Sequence, residues 1–214
     1  NKSRLLTVSS ELLRQKMNSI AGCPKSVLVR NGTISCDIHD ITFPSAKARY
    51  LLGYIGTISN WFDFTLIEDS LNLVSGIEYH LIGPTVVKKP LINGVVYHQP
   101  VSRDGLWDTI KEYDCLIMPF QVNDIVMSVD PVKLYEYIAF GKCIISVYYP
   151  EIERFRDFVY FYSDRDEYIG LLESLMRKNF PPKYNKEQQR AFLGSNTWEE
   201  RYTILKKEID QIEI

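Results

Sequence analysis

The sequence predicts an α/β fold in which a parallel sheet is covered by helices on both faces, and three observations lead there. From residue 50 to residue 178, short apolar runs alternate with longer segments of helical spacing, the pattern of repeated strand–helix units. CysLeuIleMetPro (115–119) and CysIleIleSerVal (143–147) are apolar without alternation, as strands buried on both faces are. Gly and Pro fall between the runs, at Gly56, Gly76, Gly83-Pro84, Gly141 and Pro150, where the chain has to turn.

Length and composition set the bounds. A chain of 214 residues fits one large domain, or a domain with part of another, and either buries a proper core. Apolar residues at 45% and charged residues at 24% are ordinary for a globular protein. A net charge of −2 gives no broad electrostatic footprint for nucleic acid, so no nucleic-acid partner is expected. No apolar run is long enough to span a bilayer and no signal peptide is recognisable, so no transmembrane segment is expected either. Cys23, Cys36, Cys115 and Cys143 are scattered without metal-site spacing. Cys36 with His39 is half a metal clip that lacks its other half, and a reducing cytoplasm is the natural compartment.

Taken in order, residues 3–8 read as a strand. Ser9 or Ser10 then caps a helix with Leu12, Leu13, Met17 and Ile20 on its apolar side. A short strand (26–29) ends at the turn dipeptide Asn31-Gly32. Residues 33–48 lack periodicity and read as a linker. A strand over 50–55 runs into Gly56-Thr57-Ile58-Ser59, with Asn60 as the expected cap of a helix that buries Phe64, Ile67, Leu71 and Val74 and stops at Gly76. Strand, glycine loop and helix in that order allow backbone amides to approach a phosphate, although Gly53-x-x-Gly56 by itself is equally a close-packed turn. A strand and turn follow over 78–84, and another strand over 95–98. Ser102 or Asp104 caps a helix carrying Leu106, Ile110 and Tyr113, and the strand at 115–119 comes next.

The stretch SVDPVKLYEYIAFGKCIISV (128–147) carries the chemistry. Asp130 is a cap candidate, Pro131 pre-sets φ for a first helical turn, Leu134 and Ile138 recur at helical spacing, and Gly141 ends the helix. Lys133 and Glu136 lie one turn apart on one face. A cation beside a helix N-terminus suits an anion, and a carboxylate behind it suits a vicinal diol; a surface ion pair is the plainer interpretation. Beyond it the pattern predicts a helix near 151–157, a strand at 159–162, a helix over 165–177, a break at Pro181-Pro182, and helices near 184–193 and after Asn196 or Thr197. Trp198, Tyr202, Leu205 and Ile209 form the last helix's apolar register.

AspProValLysLeuTyrGluTyrIleAlaPheGlyLysCysIleIleSer (130–146) resembles the donor-site motif of GT-B glycosyltransferases of the family-4-like group (group 1). Within that group it is closest in pattern to members with a Pro-x-Lys-Leu-x-Glu-Tyr-x-Ala-x-Gly-Lys-Pro run. The resemblance implies a Rossmann-like doubly wound parallel sheet, the C-terminal half of a GT-B fold, with a small remnant of the N-terminal domain. Residues 1–32 would then close the acceptor domain, 33–48 link, 49–195 form the donor domain and 196–214 cross back as the terminal helix. It implies that Glu136 binds ribose hydroxyls, and that amides around Val129, Asp130, Pro131 and Val132, with Lys133, hold the diphosphate or donor sugar. Gly56 and Thr57 would face the diphosphate, and the segment from His98 to Val101 would lie under the base. Ser128 stands where many relatives have a second glutamate, and the Gly56 loop lacks the usual basic pair.

The implied activity is glycosyl transfer from a UDP- or GDP-linked sugar to an unidentified acceptor, in cell-surface polysaccharide or glycolipid synthesis, without a metal or cofactor. Lys133 would stabilise the leaving group. An N-terminal acceptor domain or subunit would be the partner, and the location cytoplasmic, at the inner face of the membrane. Ser128 and the uncharged glycine loop leave open a non-catalytic nucleotide-sugar-binding or structural subunit.

Overall fold

The computed structural model describes residues 4–34 and 38–212; Cys36, and with it half of the Cys36/His39 pair, lies outside them. A small parallel pair, β1 (Leu6–Val8) and β2 (Ser26–Leu28), is bridged by α1 (Glu11–Asn18). The Ser10 hydroxyl accepts from Leu13 N, which selects Ser10 over Ser9 as the cap. The large sheet has six parallel strands: β3 (Tyr50–Ile55), β4 (Ile77–Ile82), β5 (Val95–His98), β6 (Cys115–Met118), β7 (Cys143–Val147) and β8 (Tyr160–Tyr162). Their spatial order is β5-β4-β3-β6-β7-β8. The chain therefore builds outward from β3 in one direction, then returns to add β6 on its other side. The crevice beyond the carboxyl ends of β3 and β6 is the topological switch point, where open α/β sheets bind ligands.

Helices α2 (Phe64–Leu73), α3 (Arg103–Ile110), α4 (Val132–Ala139) and α5 (Arg165–Arg177) cover the sheet, followed by α6 (Lys186–Gly194) and α7 (Trp198–Asp210). Successive residues of β4 show how the two faces divide. The Tyr79 hydroxyl meets Ser70 of α2 at 2.7 Å and Tyr168 of α5 at 2.9 Å, whereas His80 turns to the other side, 3.5 Å from the Tyr113 hydroxyl after α3. Every residue of β6 and of β7 is buried, as their unbroken apolar runs require. Gly141 has φ +66°, the left-handed stop expected after α4, and the linker lies on it: Thr42 N donates to Gly141 O and His39 N to Ala139 O.

Three expectations need correction. Asn60 does not cap α2; Asp63 does, accepting from Leu66 N at 3.0 Å. Asn60 and Trp61 instead form a turn closed by Phe62 N donating to Ser59 O, and Phe62, buried and paired antiparallel with Phe120, delays the helix start. Asp130 does not cap α4, whose cap position is Pro131 with no side-chain hydrogen bond. The register of α7 is not a core face: Trp198 is 44% and Tyr202 65% exposed, and the buried residue of that helix is Arg201.

Candidate functional site

The switch point gathers three elements. β3 runs into Gly56, whose φ of +138° disfavours any side chain, and a methyl added there would collide with Cε and Nζ of Lys133. The Lys133 chain, from the first turn of α4, thus lies directly over the glycine loop, with Nζ 5.4 Å from the Tyr54 ring centroid. Tyr54 is fully buried, fixed by edge contacts with Phe62 and Phe120 and by its hydroxyl donating to Thr57 O at 2.9 Å. Burial pushes the Lys133 ammonium below the ordinary lysine range, and the charge of Glu136 opposes that shift. The first amides of a helix have no intrahelical acceptor, so those of Val132 and Lys133 add to this positive corner.

Glu136, one turn further, lines a cavity of about 200 Å³ between α3, α4 and the linker. Arg103, Asp104 and Trp107 line it from α3, and Thr33 and His39 from the linker; Lys133 is outside it. His39 stacks on Trp107 with centroids 3.7 Å apart and planes 6° from parallel. The carboxylate therefore stands beside an aromatic wall and a helix N-terminus, behind the cationic corner rather than within it.

The remaining expected residues divide. Thr57 is in the glycine loop with its carbonyl already bonded to Tyr54. Val129 N donates to Val126 O within a 3-10 turn (Val126–Ser128), and Pro131 has no N–H, so the expected row of four donor amides shortens. Asp130 is 3% exposed, and its carboxylate is spent inside the protein: Oδ2 accepts from Asn31 N at 2.7 Å and Oδ1 from Arg154. Ser128 turns its hydroxyl back to Ile125 O at 2.8 Å and Asp124 O at 3.2 Å. Val132 is exposed at the helix start; Val101 is exposed beside Gly105. His98 Nε2 is 2.9 Å from His80 Nδ1, and His80 Nε2 is 2.8 Å from Glu78, so the ring belongs to a relay along β4 and β5 and not to the Glu136 cavity. Burial, with the charge of His80, pushes His98 below the usual histidine value.

Sequence reasoning missed Tyr54, Arg103 and Trp107, although Trp107 was visible as the one tryptophan in the helix after the expected base segment. It also passed over an Asp-x-Asp spacing at Asp164-Arg165-Asp166. There Asp164 caps α5 and Asp166 pairs with Arg165 in solvent. Among the described residues no group of three or more His, Cys, Asp or Glu is placed to hold a metal ion.

No protein-family model matches the chain. A curated relative, "Putative teichuronic acid biosynthesis glycosyltransferase TuaH" of Bacillus subtilis (strain 168), is 23% identical over 212 residues, covering 90% of this chain and 53% of the relative. Among solved structures, the sucrose-phosphate synthase from Thermosynechococcus elongatus superposes with a TM-score of 0.73 at 11% identity, over 96% of this chain and 57% of the synthase. Anabaena Alr3699/HepE, solved in complex with UDP and glucose, gives a TM-score of 0.69 at 10% identity, over 99% of this chain and 63% of that protein. TarM gives 0.71 at 11% identity, over the whole of this chain and 44% of its own length. The chain thus spans about half the length of the curated relative it matches. What this likeness establishes, with the strand order above, is that the chain has the Rossmann-like fold of the C-terminal half of a GT-B glycosyltransferase.

Proposed function

We propose that the chain binds a nucleotide diphosphate sugar, UDP- or GDP-linked, along the amino end of α4, as the donor half of a glycosyltransferase. The observation that carries this is the largely shielded Lys133 ammonium lying over the side-chain-free Gly56 at the switch point of the sheet. The diphosphate rests against Lys133 and the amides of Val132 and Lys133, and the ribose diol hydrogen-bonds to Glu136 in the adjoining cavity. As the bond from the sugar's anomeric carbon to the diphosphate oxygen breaks, negative charge grows on that oxygen. A fixed ammonium and a helix N-terminus stabilise it without a metal, more strongly than water would. The acceptor and any general base belong to an N-terminal domain or subunit, and cell-surface polysaccharide synthesis is the pathway class, with the teichuronic acid biosynthesis of the curated relative's name in support. Among the described residues no helix is long and apolar enough to cross a membrane; contact with the inner membrane face, as part of this proposal, is peripheral.

A thermal-shift series with UDP, GDP, ADP and their sugars tests the proposal. One nucleotide should raise the melting temperature, and Glu136→Ala should cut its affinity by ~1–3 kcal/mol, the worth of hydrogen bonds to a charged group. Unchanged calorimetric affinity in that variant would remove Glu136 from the site. A second possibility, a subunit that binds the donor and catalyses nothing, is favoured by Ser128, whose hydroxyl is turned back into its own turn. Hydrolysis or transfer by the chain together with its N-terminal partner would exclude it.

A further inference from the structure

The Glu78–His80–His98 chain at the edge of the sheet takes no part in the function proposed above. Glu78 and His80 share one face of β4, and His98 ends β5 on that same face, two residues past Val96, the partner of His80 in the register. His80 Nδ1 lies 2.9 Å from His98 Nε2, whereas the ring centroids are 4.9 Å apart with planes 19° from parallel. A face-to-face stack would bring the centroids about as close as the nitrogens, so these rings meet edge to edge. Two nitrogens so placed share one proton. His80 Nε2 donates to Glu78 Oε1 at 2.8 Å, so in the neutral pair His80 Nδ1 is a bare acceptor and the shared proton belongs to His98 Nε2. One added proton is accommodated, because an imidazolium on either ring still finds a bare nitrogen opposite it. A second sets N–H against N–H, and the bond is lost.

We propose that Glu78, His80 and His98 form a one-proton clasp, which fixes the end of β5 and with it the start of α3, and which releases when a second proton reaches the two rings. The groups around the pair sharpen this response. Arg49 donates to the other Glu78 oxygen at 2.8 Å, and the hydrogen bond from His80 holds that carboxyl below its usual range, so it stays an acceptor. The Tyr113 hydroxyl, 3.5 Å from His80 Nδ1, is pushed up to about 12 by burial and stays neutral. On His98 burial and the charge of His80 act together, both against its protonation. A ring whose folded-state pKa is lowered gives stability that is present above its ordinary 6.5 and is lost as pH falls. β5 is an edge strand, paired with β4 alone, and residues 99–102 beyond it are exposed. They lead straight to Arg103, Asp104 and Trp107 in the wall of the Glu136 cavity. The clasp itself needs no nucleotide; its effect on ligand binding rests on the Glu136 assignment above.

The test is NMR of the histidine ring signals and of amide protection factors between about pH 5 and 8, on the nucleotide-free protein, wild type against His80→Gln. The pair should titrate in two steps at least ~1 pH unit apart, the mark of coupled sites, with the lower step below 6.5. Across that lower step alone, protection of the β5 amides should fall at least ~10-fold, the same coupling read at the backbone. In His80→Gln, His98 should titrate once, nearer 6.5, and β5 protection should lose its pH dependence in that range. Independent, overlapping titrations of the two rings, an unmoved His98 midpoint in the variant, or a lower step that leaves β5 protection unchanged would overturn the proposal. The first and last of these are read on the wild type, so a poorly folded variant does not shelter the clasp. UDP is absent throughout, so the clasp and the nucleotide site stand or fall separately.

Discussion

Asp130 and Lys133 flank the same proline-led helix start, carry opposite charges and are both largely shielded from water, yet the fold uses them in opposite ways. Asp130 is enclosed by Arg154 and by Asn31, whose main-chain N–H and side-chain amide both bond to it. Arg154 in turn donates to the Tyr135 hydroxyl at 2.6 Å, and Arg201 reaches Asn31 O at 3.0 Å. Through these contacts Asp130 ties residues near β2, the start of α4 and the terminal helix α7 into one block. Lys133 meets the face of Tyr54 and the opposing charge of Glu136. Burial still holds the Asp130 carboxyl above its ordinary range, but Arg154, the Asn31 N–H and Arg30 oppose that shift, so removing them would leave a costlier charge. The Lys133 ammonium has the charge of Glu136 to oppose its own shift, and is the one on which the proposed function places a ligand.

The largest effect should come from breaking the compensated side. Asp130→Ala leaves Arg154 partly buried without its carboxylate and Asn31 N without its acceptor, and should cost about 3 kcal/mol of stability, the low end for breaking a buried pair. Urea denaturation would read it. A loss below ~1 kcal/mol, typical of an exposed pair, would mean that the network is ornamental and that the contrast with Lys133 is false.

Gly56→Ala attacks the corner that Lys133 covers. The positive φ strains any other residue by ~1–3 kcal/mol, and the added methyl occupies the path of the lysine stem, so stability and UDP affinity should fall together. Lys133→Met separates the two effects. It keeps the stem and removes the desolvated charge, so the melting temperature should hold or rise while UDP binding drops by ~1–3 kcal/mol. A variant with lower stability and unchanged nucleotide affinity would reverse the roles assigned to the two residues.

The elements were legible in the sequence where local signals and burial agree. The unbroken apolar runs of β6 and β7, the stop at Gly141 and the span of α5 each rest on residues adjacent in the chain. What was not legible depends on distant partners. Nothing local distinguishes Asp130 as a cap from Asp130 as a buried hub; Arg154 and Asn31 decide it. Phe62 moves the start of α2 from Asn60 to Asp63 because Phe120 pairs with it. The Trp198–Tyr202–Leu205–Ile209 register has helical spacing and still faces outward, since periodicity shows which face is apolar and not what covers it. Of the site, the Lys133/Glu136 pair could be read directly, but the cavity beside Glu136 is made by His39 and Trp107, 68 residues apart in the sequence and stacked in space.

The smallest and most specific effect is in the pH dependence. For a lysine whose folded-state pKa lies below its unfolded value, the charged form is disfavoured by folding. The resulting penalty is fully present at pH below the folded pKa and disappears as pH rises toward the ordinary 10.5. Stability contributed by this group therefore increases with pH in the window below 10.5, opposite in sign to a lysine stabilised by a salt bridge. Nucleotide affinity runs the other way, because the diphosphate binds the ammonium and not the amine. UDP binding should weaken as pH rises through the lowered Lys133 pKa, earlier than an exposed lysine would permit, and Lys133→Met should flatten that limb while leaving the rest of the profile in place. Calorimetric titrations between pH 7 and about 10 would show it, within the range where an unperturbed lysine stays mostly charged. An identical slope in both proteins would assign the titration to some other group and detach the charge of Lys133 from the ligand.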